Sequence, residues 1–150
     1  MNIRKLEDRQ EAPMSLLLLA DPAVDLIQNY LEAGDCYVAE KDGVTIGAYV
    51  LLQTGEGRAE IVNVAVAEGE QGKGIGKELV MHAIGEARKN GYRELEVCTG
   101  NSSIGPFALY QKCGFRIDSI DQDYFVRNYS EPIYEHGIVC RDRIRLRLPL

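Results

Sequence analysis

The amino-acid sequence predicts an α/β fold, a single domain with a mixed central sheet of about six to seven strands flanked by about four helices. Strand-like apolar runs alternate with amphipathic helical stretches along the chain. The 150 residues are 45% hydrophobic, which suits one domain with one buried core. Neither a repeat nor a linker interrupts the pattern, so we predict one domain over residues 1–150.

The N-terminal part of the chain predicts one edge strand followed by two helices. Residues 1–6 fit a strand, and residues 7–19 run from polar to apolar, as an amphipathic helix does. Asp21 can cap a helix, and the proline after it is tolerated in a first helical turn. A second helix is therefore predicted over residues 22–32, with its end at Gly34.

Three strands joined by tight turns are predicted next. Residues 36–40 and 44–53 are rich in β-forming residues, and the Asp-Gly pair between them supplies the positive φ angles of a hairpin. A second glycine-rich turn at residues 55–57 leads into a strand over residues 58–66. The pattern indicates two successive hairpins.

A glycine-rich turn at residues 71–76 (Gln-Gly-Lys-Gly-Ile-Gly) follows that strand and opens a helix predicted over residues 77–90. A helix start offers unpaired N–H groups and the positive end of the helix dipole, so the turn predicts a phosphate site. It is not a Walker A loop, because Gln71 replaces the first glycine and Glu78 the hydroxyl residue. It is not a dinucleotide fingerprint, because Lys77 stands where the third glycine belongs.

The second half of the chain predicts a strand, a helix and two further strands. Residues 94–99 alternate between charged and apolar side chains, and a helix from about residue 103 to 112 closes at Gly114. Residues 115–120 begin another strand, and the alternating residues 144–148 are the candidate for the last one. These elements complete the predicted α/β sheet.

Three segments of the chain follow one another in a recognisable order. They are residues 59–66 (Ala-Glu-Ile-Val-Asn-Val-Ala-Val), the run Gln71-x-x-Gly74-x-Gly76, and residues 109–115 (Leu-Tyr-Gln-Lys-Cys-Gly-Phe). In this order they resemble the central strand, the pyrophosphate loop and the end of the fourth helix of the GNAT superfamily of acyl-CoA-dependent N-acyltransferases. The resemblance covers residues 1–118. It implies a sheet splayed between strands 4 and 5, and acetyl-CoA as co-substrate without a metal ion.

The same resemblance implies a path for acetyl-CoA along the chain. The main chain of Val64, Ala65 and Val66 would pair with the pantetheine arm, and one of its groups would polarise the thioester carbonyl. Asn101, or one of the two serines after it, would hold the pantetheine amide or the helix start. The pyrophosphate would lie against the N–H groups and lysines of Gln71, Gly72, Lys73, Gly74, Ile75, Gly76 and Lys77.

Two side chains are candidates for proton transfer. Glu60 lies eleven positions before Gln71, where the histone-modifying branch of the family carries its catalytic glutamate, so it is the candidate base. The alternatives are a water chain as base and a solvent-facing Glu60 paired with Arg58 or a lysine. Tyr110 matches the tyrosine of the family's helix motif and would contact the CoA sulfur and protonate the departing thiolate. Its alternative role is aromatic packing.

Charge and cysteine content limit the partners. A net charge of −6 and a pI near 5.0 argue against nucleic acid as a partner, because such proteins normally present a basic face. The four cysteines lack Cys-x-x-Cys spacing, which favours free thiols in a reducing cytosol over a zinc site. The chain has no signal peptide or apolar run of spanning length, so we expect a cytoplasmic protein without a membrane partner.

The sequence therefore predicts transfer of an acetyl group from acetyl-CoA to a primary amine of a small molecule or a peptide. Direct attack by the amine is favoured over an acyl-cysteine intermediate, because nothing in the sequence pairs a histidine with Cys98 or Cys113. The alternative is a non-catalytic acyl-CoA-binding or sensor domain on the same fold. A homodimer through the terminal strand fits the family. The acidic, tyrosine-rich residues 121–142 either attract a cationic amine or form a solvated surface.

Overall fold

The computed structural model describes residues 1–150. The chain forms two compact units, one of residues 1–95 together with Leu150 and one of residues 96–149. The prediction of a single domain over the whole chain stays a prediction. None of the helices combines the length and the apolar character that a bilayer crossing requires.

The first unit contains four antiparallel strands that pair in chain order. They are β1 (Asn2–Lys5), β2 (Asp35–Lys41), β3 (Val44–Gly55) and β4 (Arg58–Val66). Both predicted hairpins are present. Asp42 and Gly43 turn the chain between β2 and β3 with φ angles of 53° and 78°, and Gly57 turns it between β3 and β4 with a φ of 71°. These left-handed angles are those that the Asp-Gly pair and the second glycine turn predict.

A β-bulge interrupts the pairing of β3 with β4. Val50 pairs with Asn63, whereas Leu51 pairs with Ile61, so Val62 is an extra residue on β4. Side chains normally alternate between the two faces of a strand, and an extra residue reverses that alternation beyond the bulge. The bulge therefore changes which residues of β4 share a face.

The bulge brings Glu60 and Asn63 to the same face of the sheet. Directly paired residues of antiparallel strands lie on the same face, and Glu60 pairs with Leu52 while Asn63 pairs with Val50. Val50 and Leu52 are two residues apart on β3 and so share a face. A regular strand would place positions 60 and 63 on opposite faces.

Three helices cover the two faces of this sheet. They are α1 (Met14–Ala20), α2 (Val24–Ala33) and α3 (Ile75–Lys89). Tyr49 and Val50 are neighbours on β3 and point to opposite faces. Val50 belongs to an apolar cluster with Leu17 of α1 and Ile27 of α2, whereas Tyr49 is hydrogen bonded to His82 of α3. The face that carries Glu60 and Asn63 is therefore the one covered by α1 and α2.

The first two helices begin later than predicted. The prediction of a helix from residue 7 is wrong, because Pro13 disfavours helical geometry in the residue before it, and α1 begins after this proline. Only Arg9–Glu11 form a short 3-10 turn upstream. Asp21 caps a turn rather than a helix: its Oδ1 accepts a hydrogen bond from Ala23 N at 3.0 Å, and α2 starts one residue later.

The second unit contains two helices and the remaining strands, except for the first two residues of β5, which belong to the first unit. They are β5 (Glu94–Gly100), α4 (Ile104–Lys112), β6 (Arg116–Asp121), α5 (Tyr124–Asn128), β7 (Tyr134–Glu135), β8 (Ile138–Val139) and β9 (Arg143–Pro149). Within this unit β9 lies between β5 and β6, and β7 and β8 form a separate hairpin. The predicted strands and helix are all present, whereas α5 and the short hairpin were not predicted. Two non-glycine residues with left-handed φ angles, Asp123 and His136, help to turn the chain there.

Candidate active site

The glycine-rich turn at residues 71–76 has a conformation that depends on glycine. Gly72 and Gly74 have φ angles of 78° and 84°, which residues with side chains rarely adopt. A Cβ at either position would meet no atom within 4 Å, so the backbone angle rather than crowding requires glycine. Helix α3 begins at Ile75, directly after Gly74 and two residues before the predicted start.

The start of α3 presents main-chain N–H groups that have no helical partner. Gly74 is the N-cap, and no side chain caps the helix. The first hydrogen bond of the helix runs from Glu78 N to Gly74 O at 3.2 Å, so the N–H groups before Glu78 are available for other acceptors. Residues 71–74 are exposed. Together with the helix dipole, this arrangement can bind an anion such as a pyrophosphate.

The side chains of the turn hold its backbone in place more than they add positive charge for an anion. Gln71 Nε2 donates a hydrogen bond to Val66 O at 3.1 Å, which connects the turn to the end of β4. Lys73 Nζ lies 3.1 Å from Glu70 Oε2, so a neighbouring carboxylate already shares its charge. Lys77 is exposed on the first turn of α3. The main-chain N–H groups are therefore the principal anion-binding feature.

The residues predicted to bind pantetheine, Val64, Ala65 and Val66, form the last part of β4. On one side they pair with residues 47–49 of β3. The bulge at Val62 lies two residues before Val64, so only Asn63 separates it from this segment. Both this segment and the glycine turn thus belong to the first unit, joined by the Gln71 hydrogen bond.

Glu60 is a buried carboxylate. Its exposed fraction is 7%, which rules out the solvent-facing alternative. Its position is compatible with that of a base.

Asn63 is a second buried polar residue on this face, and it is not among the site residues that the sequence predicts. Its Nδ2 donates hydrogen bonds to Leu17 O at 3.0 Å and to Tyr30 Oη at 2.7 Å. No protein group donates to its buried Oδ1. Burial raises the pKa of Tyr30 to about 12, against the lowering effect of the hydrogen bond from Asn63, so this phenol is neutral at physiological pH. The signal in the sequence was a single amide within an apolar strand.

In the second unit, Tyr110 lies on α4 and is 7% exposed. Its ring packs edge-on against Phe115, with the ring centroids 6.2 Å apart. Burial raises the pKa of Tyr110, with smaller contributions from Cys98 and Cys113. The phenol is therefore protonated at physiological pH and can donate a hydrogen bond.

The side-chain amide of Asn101 is bound to the chain that precedes β9. Its Oδ1 accepts hydrogen bonds from Arg141 N at 2.8 Å and Asp142 N at 2.9 Å, and its Nδ2 donates to Val139 O at 3.0 Å. This position connects the end of β5 to residues about forty positions later. The predicted contact of Asn101 with pantetheine stays a prediction.

The two serines after Asn101 bind one carboxylate. Ser102 Oγ and Ser103 Oγ donate to Glu135 Oε1 at 3.0 and 2.8 Å. Ser102 is fully buried, and a hydrogen bond with it partly offsets the raised pKa that burial gives to Cys140. These residues join the β5–α4 loop to the β7–β8 hairpin, so part of the acidic tail has a structural role.

Comparison with known proteins agrees with the motifs. A family model described as "Acetyltransferase (GNAT) family" matches residues 4–115. The chain is 51% identical over 155 residues to an uncharacterized N-acetyltransferase, YvbK, of Bacillus subtilis, and the alignment covers 100% of both chains.

Two solved structures are similar over nearly the whole chain. An IAA acetyltransferase from Bacillus cereus has 54% identity and a TM-score of 0.96, with 99% of each chain covered. A GNAT family acetyltransferase from Elizabethkingia anophelis, solved with acetyl-CoA bound, has 44% identity and a TM-score of 0.96, with 99% of this chain and 97% of that chain covered. The predicted fold class is thereby confirmed.

Proposed function

Because the chain belongs to the acetyltransferase (GNAT) family, we propose that it transfers an acetyl group from acetyl-CoA to a primary amine of a small molecule or a peptide. The observation that carries the proposal is the uncapped start of α3 behind the left-handed Gly72 and Gly74, whose main-chain N–H groups support the binding of an anion. The acetyl-CoA bound to the similar Elizabethkingia structure supports the co-substrate.

The residues of the first unit would hold and activate the thioester. The N–H groups of residues 72–77 would bind the pyrophosphate, and the main chain of residues 64–66 would pair with the pantetheine arm. One N–H group of this strand would polarise the thioester carbonyl, because negative charge develops on its oxygen as the amine attacks. Gln71 would hold the turn in register with the strand through its bond to Val66.

Proton transfer completes the proposed reaction. An amine with a pKa of about 10 is mostly an ammonium ion at neutral pH and must lose a proton before it can attack. Glu60 would take that proton directly or through a water molecule. The neutral nitrogen then bonds to the carbonyl carbon and would lose a second proton to Glu60, which has passed the first one to solvent. The carbon–sulfur bond breaks, and Tyr110 would donate a proton to the leaving CoA thiolate and regain one from solvent.

The acceptor class and the cellular setting are part of the proposal. The N-acetyltransferase name of the Bacillus subtilis relative supports a nitrogen acceptor, and the net charge of −6 favours a cationic one. The four free cysteines suit a reducing cytoplasm. A homodimer through the terminal strand remains part of this proposal.

The test is direct binding and turnover. Calorimetry should show acetyl-CoA binding, and a thiol-release assay should show CoA production with at least one primary amine from a screen of phenethylamine, spermidine and a lysine-containing peptide. Substitution Tyr110→Phe should leave binding unchanged and lower turnover about tenfold, a modest effect because a thiolate is already a fair leaving group. Acetyl-CoA binding without CoA release would favour the sensor alternative, and absence of both would remove the proposal.

A further inference from the structure

Asn63 is an amide inside an apolar environment. Its exposed fraction is 5%, and its hydrogen-bond partners Leu17 and Tyr30 belong to the buried cluster under α1 and α2. A buried acceptor without a partner destabilises a fold, whereas an apolar residue of similar size would not. Packing and the two Nδ2 hydrogen bonds therefore do not explain the unused Oδ1 of this amide.

The orientation of the Asn63 amide is determined by the groups to which it is hydrogen bonded. The carbonyl of Leu17 can only accept a hydrogen bond, so the atom that faces it must be Nδ2. The second Nδ2 hydrogen is directed to Tyr30 Oη. Rotation of the amide would turn Oδ1 toward the Leu17 carbonyl, where two acceptors would face each other and the bond to Leu17 would be lost. Oδ1 is thus held in one position as an acceptor that no protein group uses.

The position of Oδ1 is adjacent to the proposed chemistry. The bulge puts Asn63 on the same face as Glu60, the proposed base, and Asn63 directly precedes Val64, where the proposed thioester-binding segment begins. The rim of the surrounding cluster consists of partly exposed apolar side chains, among them Met14 and Leu18. For an amine to reach Oδ1, such flexible side chains must move aside.

We infer that Asn63 Oδ1 accepts a hydrogen bond from the acceptor amine and thereby selects primary amines. This inference rests on the proposed function. A neutral primary amine has two N–H groups: one proton passes to the base during attack, and the other remains bound to Oδ1. A secondary amine and an alcohol each have only one such hydrogen, which the base removes. With either of them, the buried acceptor loses its partner in the transition state.

The experiment compares matched amines rather than absolute rates. Phenethylamine is paired with N-methylphenethylamine, and a lysine-containing peptide with its Nε-monomethyl form. CoA release gives kcat and KM for each member. The expected result is that the wild-type protein prefers the primary member and that Asn63→Leu lowers this preference at least about tenfold, through loss of the primary amine's turnover. Acetyl-CoA affinity should be the same in both proteins.

A second variant separates substrate contact from structural support. Asn63→Asp keeps an acceptor oxygen but loses the Nδ2 donors to Leu17 and Tyr30, so it should retain the preference for primary amines even if its melting temperature falls. Should Asn63→Leu fail to fold, Asn63→Ala removes the acceptor without adding an apolar branch. Equal losses for both amines in the Leu and Asp variants, in step with melting temperature, would overturn the inference and make Asn63 a purely structural link.

The two levels of the proposal fail in different ways. A wild-type protein that releases no CoA with any amine removes the proposed function, and the inference with it. A wild-type protein that is active, whose preference survives in Asn63→Leu, removes the inference alone.

Discussion

The glycine turn at residues 71–76 and the β3–β4 interior, by which we mean the buried side chains of strands β3 and β4, present polar groups in opposite ways. The turn is exposed and offers main-chain N–H groups, whose positions follow from the φ angles of Gly72 and Gly74. The interior holds Glu60 and Asn63 as buried side chains. A bulge places them on one face of the sheet, and helices α1 and α2, which are distant in sequence, cover that face. A carrier such as CoA can be bound by local backbone geometry, whereas the positioning of reacting groups needs the tertiary fold.

This difference predicts which measured quantity each region controls. A change in the turn alters the conformation of backbone donors and should appear in the affinity for acetyl-CoA. A change in the interior removes a desolvated side chain that, by our proposal, lies beside the reacting atoms, and it should appear in turnover. A turn variant that changes turnover, or an interior variant that changes the affinity for acetyl-CoA, would contradict this comparison.

The largest expected effect is that of Glu60→Gln. Glutamine has nearly the same shape but cannot accept the proton of the amine, so kcat should fall about 100-fold or more while acetyl-CoA affinity is unchanged. Steady-state CoA release and calorimetry measure the two quantities. Glu56→Gln is the matched control, because it makes the same change in the exposed β3–β4 turn. Full activity in Glu60→Gln would assign proton removal to water instead.

The next effect in size is that of Gly74→Ala on acetyl-CoA binding. A left-handed conformation costs alanine roughly 1–2 kcal/mol, so the binding conformation of the turn becomes less populated and the affinity should fall about tenfold. The kcat at saturating acetyl-CoA should stay near the wild-type value. Gly69→Ala is the control, since its Cβ would meet no atom within 4 Å and no left-handed angle is required. Equal affinities in the two variants would show that the turn does not bind the carrier.

The turn and its helix could be predicted from the sequence because their determinants are local. Glycine at positions 72 and 74 permits the left-handed angles, and the apolar spacing of α3 follows directly. Even so, local signals compete. The start of α1 was misjudged because the change from polar to apolar residues outweighed Pro13, which in the fold determines where that helix begins.

The β3–β4 interior could be predicted only in outline. The family resemblance indicated Glu60. The burial of Glu60, however, depends on a bulge that is defined by the pairing of β4 with β3. In the sequence alone, Asn63 is one polar residue in an apolar strand. The partners of Asn63 lie 33 and 46 positions away. The same holds for Asn101, whose amide binds residues 38 to 41 positions later. No periodicity in a single sequence reports contacts of this separation.

The smallest expected effect is an alkaline loss of stability that originates in buried tyrosines and not in the turn; one of these tyrosines, Tyr49, belongs to the β3–β4 interior. Burial raises the pKa of Tyr30 and of Tyr37 to about 12, and raises that of Tyr49 as well. Above pH ~10 the unfolded phenols lose their protons while the folded ones keep theirs, so the unfolded state binds fewer protons. The contribution of these tyrosines to the free energy of unfolding should therefore be constant below pH ~10 and should fall as the pH rises further. The turn contains no tyrosine and contributes nothing to this slope.

Tyr49→Phe tests that assignment at a single site. Tyr49 Oη shares a hydrogen bond with His82 Nδ1 at 2.7 Å, and its ring stacks on Tyr37 with a centroid distance of 4.6 Å. Phenylalanine keeps the stacking and loses the hydrogen bond, so the variant should be about 1 kcal/mol less stable at pH 7. Above pH ~10 its free energy of unfolding should fall more slowly than that of the wild type, by about 1.4 kcal/mol per pH unit. Urea unfolding between pH 7 and 11 measures both curves, with Tyr134→Phe at an exposed ring as control. Because the difference at pH 7 must shrink as the pH rises, parallel curves would show that the alkaline slope arises outside the β3–β4 interior.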